Sequence, residues 1–450
     1  MMISRPKMVR LTCFFVLAAA LVVGCTRSGR RPPQTAGVPG AAPTGGTAQS
    51  LNGARVRVLG LWSGPEFDSF ATVKARWEKA TGGVVDWEGT EDLQAVLAAR
   101  VQAGNPPDIA VLPNLALLRE LAESGALIPL SSALDMDRVH QDYAPAWVDL
   151  GSYDGKLYGI FYKVTNKATV WYSPKAFKAN DYRVPRTWED IIALADRMVA
   201  DGRTPFSVVA ARGPASGWAL TDWISQIVLN NCGPTLYDRW IAAEIPWTDA
   251  CIKESFRMFA EIVQTKGYVL GGSQRILATT DEDGGNPLYS KPPKAYMYYL
   301  ASFAQGFIAA KYPNLKPGRD YGFFSFPTIN DRYRGAVTIG ADVVVMVNDS
   351  PAARSFMNYL AGARAQEAWI KLGGFTSVNR SVSAAAYPDS VAQAVAEDLA
   401  EAEVSRFSGG DMMPAQLQRA WWRGMLELVQ DPSTLDSMLT SLNRVAQRTK

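Results

Sequence analysis

The sequence predicts an α/β chain of at least two bodies, each a mostly parallel sheet covered by helices. Three observations carry this. Between Arg55 and Gly125, short apolar strands alternate with amphipathic helices, the pattern of a parallel sheet with both faces covered. Setting the amino-terminal stretch aside leaves roughly 400 residues, more than one hydrophobic core usually organises. Finally, the stretch Leu157–Phe177 places a polar run, Lys163–Lys167, between two ends rich in aromatic and β-branched residues. That stretch is either a hairpin or a crossing between two bodies with its polar residues exposed in the gap. Clefts between bodies are favoured ligand sites.

Residues 1–24 read as a secretory signal. Arg5, Lys7 and Arg10 precede an apolar run from Leu11 to Val23 that is too short to span a membrane comfortably. Its end, Leu21-Val22-Val23-Gly24-Cys25, resembles a bacterial lipobox. That implies cleavage before Cys25 and acyl chains on it; the alternative is an ordinary signal with an incidental cysteine. Residues 25–53 are rich in Gly, Pro, Ala, Thr and Ser without apolar periodicity, so a flexible tether is expected. The body is then expected as a monomer, lipid-anchored at the extracytoplasmic face of the cell membrane.

The whole chain carries +3. Without Arg5, Lys7 and Arg10 it has 43 basic against 43 acidic residues; without Arg27, Arg30 and Arg31 as well, the remainder stands at −3. This is not the basic excess that nucleic-acid binding uses. With Cys13 removed and Cys25 acylated, Cys232 and Cys251 remain, an even pair in an exported protein. A disulfide is expected, against the alternative of two separate buried thiols.

Taken in order, Arg55–Trp62 reads as a strand. Pro65–Thr81 reads as a helix with Phe67, Phe70, Val73 and Trp77 near one face, stopped at Gly82-Gly83. Val84–Trp87, Glu91–Ala103, Asp108–Leu112 and Leu115–Ser124 continue the alternation. Ligands of such sheets sit outside the carboxyl ends of the strands. That rule selects Trp62, Ser63 and Glu66, then Glu88, then Asn114. Further on, Thr187 and Asp190 open a helix to Ala200. Gly213–Trp218 leads into Thr221-Asp222-Trp223, and both Trp218 and Trp223 could be cleft platforms or helix core. Ala295–Leu300 is an aromatic strand followed by Ser302 and Phe303. Gly340 and Asp342 interrupt an otherwise apolar strand, which suggests close approach to a ligand and one carboxylate facing it. Pro351 to about Leu372 reads as helix, Gly373–Thr376 as another crossing, and Met413-Pro414 opens a helix carrying Trp421 and Trp422.

His140 is the only histidine, which leaves no His-based triad or His cluster for a metal. No GxSxG, P-loop or GxGxxG is present. No cofactor or metal is expected. Glu66 and Glu88 could be a glycosidase carboxylate pair, or acceptors for sugar hydroxyls.

The ordered set WSGPE, EKATG, AGNPPDIAVLPN, LYGIFYKVTNKATVWYSPKAF, VPRTWEDIIALADRM, FFSFPTIN, GADVVVMVND and GGFTSVN resembles the solute-binding proteins of carbohydrate ABC transporters, the family of maltose- and α-glucoside-binding proteins. The resemblance implies a two-lobed type II periplasmic-binding-protein fold: residues 54–164 with 328–373, and 165–327 with 374–450. It also implies a carbohydrate ligand, an oligosaccharide such as an α-glucoside, held between the lobes and passed unchanged to the permease. The expected ligand set adds Lys163, Asn166, Trp218, Asp222, Ser302, Phe303, Asp342 and Trp421 or Trp422. Asn166 stands at a hinge position where the maltose-binding relatives have a carboxylate. Two other readings stay open: a polyol or glycerol phosphodiester ligand, suggested by Lys163 and Lys167, and a lipid-anchored glycoside hydrolase.

Overall fold

The computed structural model describes residues 51–449; the signal, Cys25 and nearly all of the tether lie outside them. Strands β1 (Arg55–Gly60), β2 (Val84–Gly89) and β3 (Ile109–Leu112) alternate with helices α1 (Gly64–Thr81), α2 (Leu93–Gln102) and α3 (Leu115–Glu123). They pair in parallel in the order β2-β1-β3. Local chemistry accounts for each helix. Pro65 starts α1, which buries Phe70, Val73 and Trp77 and ends at left-handed Gly82. Asp92 and Asn114 cap α2 and α3 through their side-chain oxygens.

The stretch around Lys163 is a crossing. Strand β4 (Gly159–Asn166) does not pair with β5 (Thr169–Tyr172). Lys163, Thr165 and Lys167 do face the gap between the bodies, as the sequence suggested, but they are shielded from bulk solvent. Lys163, Thr165, Asn166 and Lys167 are all buried, which is tolerable because each ammonium meets carboxylates.

Beyond the crossing lie α4 (Trp188–Ala200), β6 (Phe206–Ser207), α5 (Trp218–Cys232), α6 (Ala250–Gln264), β7 (Met297–Tyr299), α7 (Ala304–Lys311) and β8 (Gly322–Ser325). The second sheet runs β8-β5-β7-β6, and only β7–β6 is parallel. Cys232 and Cys251 are joined across the packed pair α5 and α6, with Cα atoms 6.0 Å apart.

Strand β9 (Ala336–Met346) ties the bodies together. One edge pairs with β4 along Ile339–Val345. The other pairs first with β10 (Val404–Phe407) and then with β3. The apolar stretch expected as one helix from Pro351 is broken at Gly362 into α8 (Pro351–Ala361) and α9 (Ala363–Ile370). After Gly373 the chain stays with the first body, burying Phe375 and Ala386 in its core. The handover therefore falls after residue 387 and not at 374, where the sequence placed it. Helices α10 (Ser390–Glu401), α11 (Ala415–Gln430) and α12 (Leu435–Arg448) complete the second body. No helix among the described residues is long and apolar enough to cross a membrane.

Candidate functional site

A cleft of about 880 Å³, counting space open to solvent, lies between the bodies. The first body contributes Trp62, Glu66, Glu91 and Asn114; the crossing strands contribute Lys163, Thr165, Lys167, Gly340 and Asp342. The second body contributes Arg212, Trp218, Asp281, Phe303, Asp411, Gln418 and Trp422. At the rim Arg419 donates to Oε1 of Gln94 at 3.1 Å, so the two bodies meet across the mouth.

Three cations organise the cleft, each held by carboxylates. Lys163 pairs with Glu66 and lies 3.7 Å from Asp342. Its ammonium sits over the rings of Phe303 and Trp369. Burial lowers the Lys163 pKa, but Glu66 and Asp342 outweigh it and hold the ammonium above the ordinary lysine value. Trp62 donates its indole N–H to Asp342 at 2.8 Å. Burial raises the Asp342 carboxyl against the pull of Lys163, and Glu66 adds repulsion.

Lys167 bridges Asp222 at 2.9 Å and Asp411 at 2.8 Å. Ser408 donates to Asp222 at 2.6 Å. Burial, opposed by Lys167 and reinforced by Asp222, pushes Asp411 up. A Cβ on Gly340 would fall well under 3.0 Å from Cε of Lys167. The glycine in that apolar strand therefore admits a lysine side chain, where the sequence suggested backbone approach to a ligand.

Arg212 donates to both Asp281 oxygens, at 2.9 and 3.0 Å. Burial pushes Asp281 up to about 6 despite Arg212, with Glu66 adding to the shift from the opposite body. Gly217 (φ 104) brings this loop against the backbone of Trp422, whose carbonyl oxygen a Cβ would meet at 2.6 Å. That close approach sets Trp218 and Trp422 on one wall.

Several expected residues lie elsewhere. Glu88 is exposed and paired with Arg100 on α2, so it forms no carboxylate pair with Glu66 in the cleft. Ser63 is exposed at the start of α1. Asn166 is fully buried: its amide donates to Asp398 at 2.6 Å and its carbonyl accepts from Ala168 N–H at 2.8 Å. Ser302 is spent on the Asn166 backbone N–H. Asp222 acts behind Lys167 and does not line the cavity. Trp421 is core, edge-on to Trp240 and Trp247; Trp422 faces the cleft.

Sequence reasoning missed Arg212, Asp281, Asp411, Gln418 and Glu91. Gln418 precedes Trp422 by one helical turn, a signal that was readable. The others had no local signal. Among the described residues no cluster of three or more His, Cys, Asp or Glu could hold a metal ion.

Two α/β bodies joined by crossing strands around a ligand-sized cleft define a type II periplasmic binding protein. The chain belongs to the bacterial extracellular solute-binding protein family, whose model matches residues 62–367. It is 34% identical over 376 residues to the osmoprotective compounds-binding protein GgtB of Synechocystis sp., covering 83% of this chain and 88% of that protein. It is 33% identical over 397 residues to the alpha-glucosides-binding periplasmic protein AglE of Rhizobium meliloti, covering 86% of each. Among solved structures, a chitin oligosaccharide binding protein superposes with TM-score 0.77 at 18% identity over 88% of this chain and 99% of that one. The solute receptor AcbH gives 0.76 at 20% identity, with the same coverage.

Proposed function

We propose that this chain is the receptor of an ABC importer for a neutral, polyhydroxylated solute, an α-glucoside-type saccharide. It binds the solute in the cleft and hands it on without chemistry. One observation carries the reading: the balance of unused hydrogen-bonding groups. Glu66 Oε2, Asp342 Oδ1, Asp411 Oδ1, Gln418 Oε1 and the Glu91 carboxylate have no partner among the described residues. Facing them as unused donors are the Asn114 amide, the Thr165 hydroxyl and the Nε and Nη2 of Arg212. The Trp218 and Trp422 indole N–H groups have no partner among the described residues either, so both acceptors and donors stand ready for a ligand whose hydroxyls donate and accept. Trp218, Phe303 and Trp422 offer apolar faces to sugar C–H groups.

Charge weighs against the phosphodiester alternative. Five carboxylates line the cleft against three cations, and every cation already has a carboxylate partner. The absence of a Glu66–Glu88 pair removes the motivation for a hydrolase. The names of GgtB and AglE support an osmoprotective compound or an α-glucoside as the ligand. Anchoring through Cys25 and a tether, placing the body outside the cytoplasmic membrane, rests on the sequence alone.

Thermal-shift and calorimetric titration across maltooligosaccharides, other α-glucosides, polyols and glycerol phosphodiesters is the test. Neutral saccharides are expected to stabilise the protein and to be recovered intact. Tighter binding of a phosphodiester, or the appearance of cleavage products, would overturn the reading.

A further inference from the structure

One end of the cleft is built around a single guanidinium. Arg212 enters it from the loop before α5, and its backbone N–H donates to Ser216 Oγ at 2.9 Å, which fixes the loop. Its Nη1 alone serves both oxygens of Asp281. Asp281 is held in turn, its carbonyl accepting from the Tyr298 hydroxyl at 2.7 Å. Nε and Nη2 have no partner among the described residues. In a planar guanidinium the Nε–H and the nearer Nη2–H point the same way, a two-pronged edge on the side away from Nη1. The side chain is mostly buried, so N–H groups left unmet here are costly unless a solute meets them.

Two carboxylates of the first body close on the same end. Glu91 Oε2 lies against Gly213, the residue after Arg212, where a Cβ would overlap it. Glu66 gives one oxygen to Lys163 and keeps Oε2 free. Burial lowers the Arg212 pKa, but Asp281, Glu66 and Glu282 together outweigh it. Glu66 therefore acts on the guanidinium across the gap. Glu282 stands 3.9 Å from Nη1, the nitrogen already spent on Asp281.

We propose that this set reads a vicinal diol on a glucosyl ring: the Arg212 edge donates one N–H to each hydroxyl oxygen, and the two hydroxyls give their protons to Glu66 and Glu91. The inference rests on the saccharide reading above and names Arg212 as the residue that decides which hydroxyls are required. Neighbouring ring hydroxyls of glucose are equatorial and stand side by side, as the two prongs do. A carboxylate or phosphate would also satisfy the prongs, but it has no proton to give and would face Glu66 and Glu91 as a like charge.

Calorimetric titration with methyl α-D-glucopyranoside and its 2-, 3-, 4- and 6-deoxy analogues tests this on the wild type, Arg212→Lys and Glu91→Gln. In the wild type two adjacent positions, 2 with 3 or 3 with 4, should each lose about tenfold or more in affinity. Arg212→Lys keeps a cation beside Asp281 but has no two-pronged edge. It should shrink those two penalties to about threefold or less and leave the other deoxy penalties as they were. Glu91→Gln removes no hydrogen bond of the fold and should shrink one of the two penalties, so it carries the test if Arg212→Lys fails to fold. Penalties on non-adjacent positions, or an adjacent pair whose penalties survive both substitutions, would overturn the proposal and leave the saccharide reading intact. Failure of methyl glucoside to bind while other saccharides bind would overturn it as well. If no saccharide or polyol binds, the saccharide reading falls and this inference with it.

Discussion

Gly340→Ala is a one-carbon change whose effect follows from the path of Lys167. Gly340 lies within β9 and is not among the glycines with positive φ, so alanine meets no backbone strain there. The obstacle is lateral: the new methyl would fall well under 3.0 Å from Lys167 Cε, 3.3 Å from its Nζ and 3.2 Å from Thr165 Oγ1. Relief requires the lysine to retreat by on the order of 1 Å, as far as van der Waals contact demands. Its ammonium has no slack, since it sits 2.9 Å from Asp222 and 2.8 Å from Asp411. The loss is therefore one or two charge-assisted hydrogen bonds in a buried setting, about 2–4 kcal/mol. For a body of roughly 400 residues that lowers Tm by about 2–5 °C. Urea unfolding of wild type, Gly340→Ala, Lys167→Met and the double variant measures it. The methyl should cost little once Lys167→Met has removed the ammonium, so the two changes should be strongly non-additive. Additive effects, or a loss below about 0.5 kcal/mol for Gly340→Ala, would refute the argument.

Trp421→Ala should lower unfolding stability by about 3–5 kcal/mol, because it empties a packed aromatic cluster. Trp422→Ala should leave unfolding nearly unchanged and weaken the best saccharide by about 1–3 kcal/mol in calorimetry. Asp281 titrates near 6 when folded against 3.8 as its ordinary value. The folded protein thus holds this proton more tightly, and the stability it confers below about pH 4 is lost as pH rises through about 6. The stability difference between wild type and Asp281→Asn should fall by up to about 3 kcal/mol across that window in urea titrations at stepped pH; a flat difference would contradict it. Reducing Cys232–Cys251 should cost roughly 3 kcal/mol in the chain-entropy view, read as a lower Tm in dithiothreitol with saccharide affinity little changed.

How much of this was legible depended on the range of the interactions. The β1-α1-β2-α2-β3-α3 order followed from local period and caps, and the boundaries moved by only a residue or two at most ends. Trp421 could have been assigned to the core, because Leu417, Trp421, Met425 and Leu428 form one stripe of α11. Glu88 was misplaced for a different reason. The strand-end rule selects a loop, not a side-chain direction, and Arg100 on the neighbouring helix draws Glu88 outward. The motif position of Asn166 suggests a ligand-facing amide, yet its partner Asp398 lies 232 residues away and no local pattern announces it. Arg212 and Asp281, 69 residues apart, were illegible for the same reason.

The ladder between β4 and β9 is interrupted at one place. Lys163 stands opposite Asp342, but Val343 stands opposite Phe161, leaving Tyr162 without a counterpart. A ribbon bends most easily where its rungs are missing. The weak rung therefore lies next to the one rung whose two side chains both reach the cleft, Lys163 and Asp342. Any rotation of one body against the other about this point re-aims that ammonium and that carboxylate first. On the proposed reading, a solute gripping them would act with almost no lever arm, directly on the joint, and would need no relay between grip and swing.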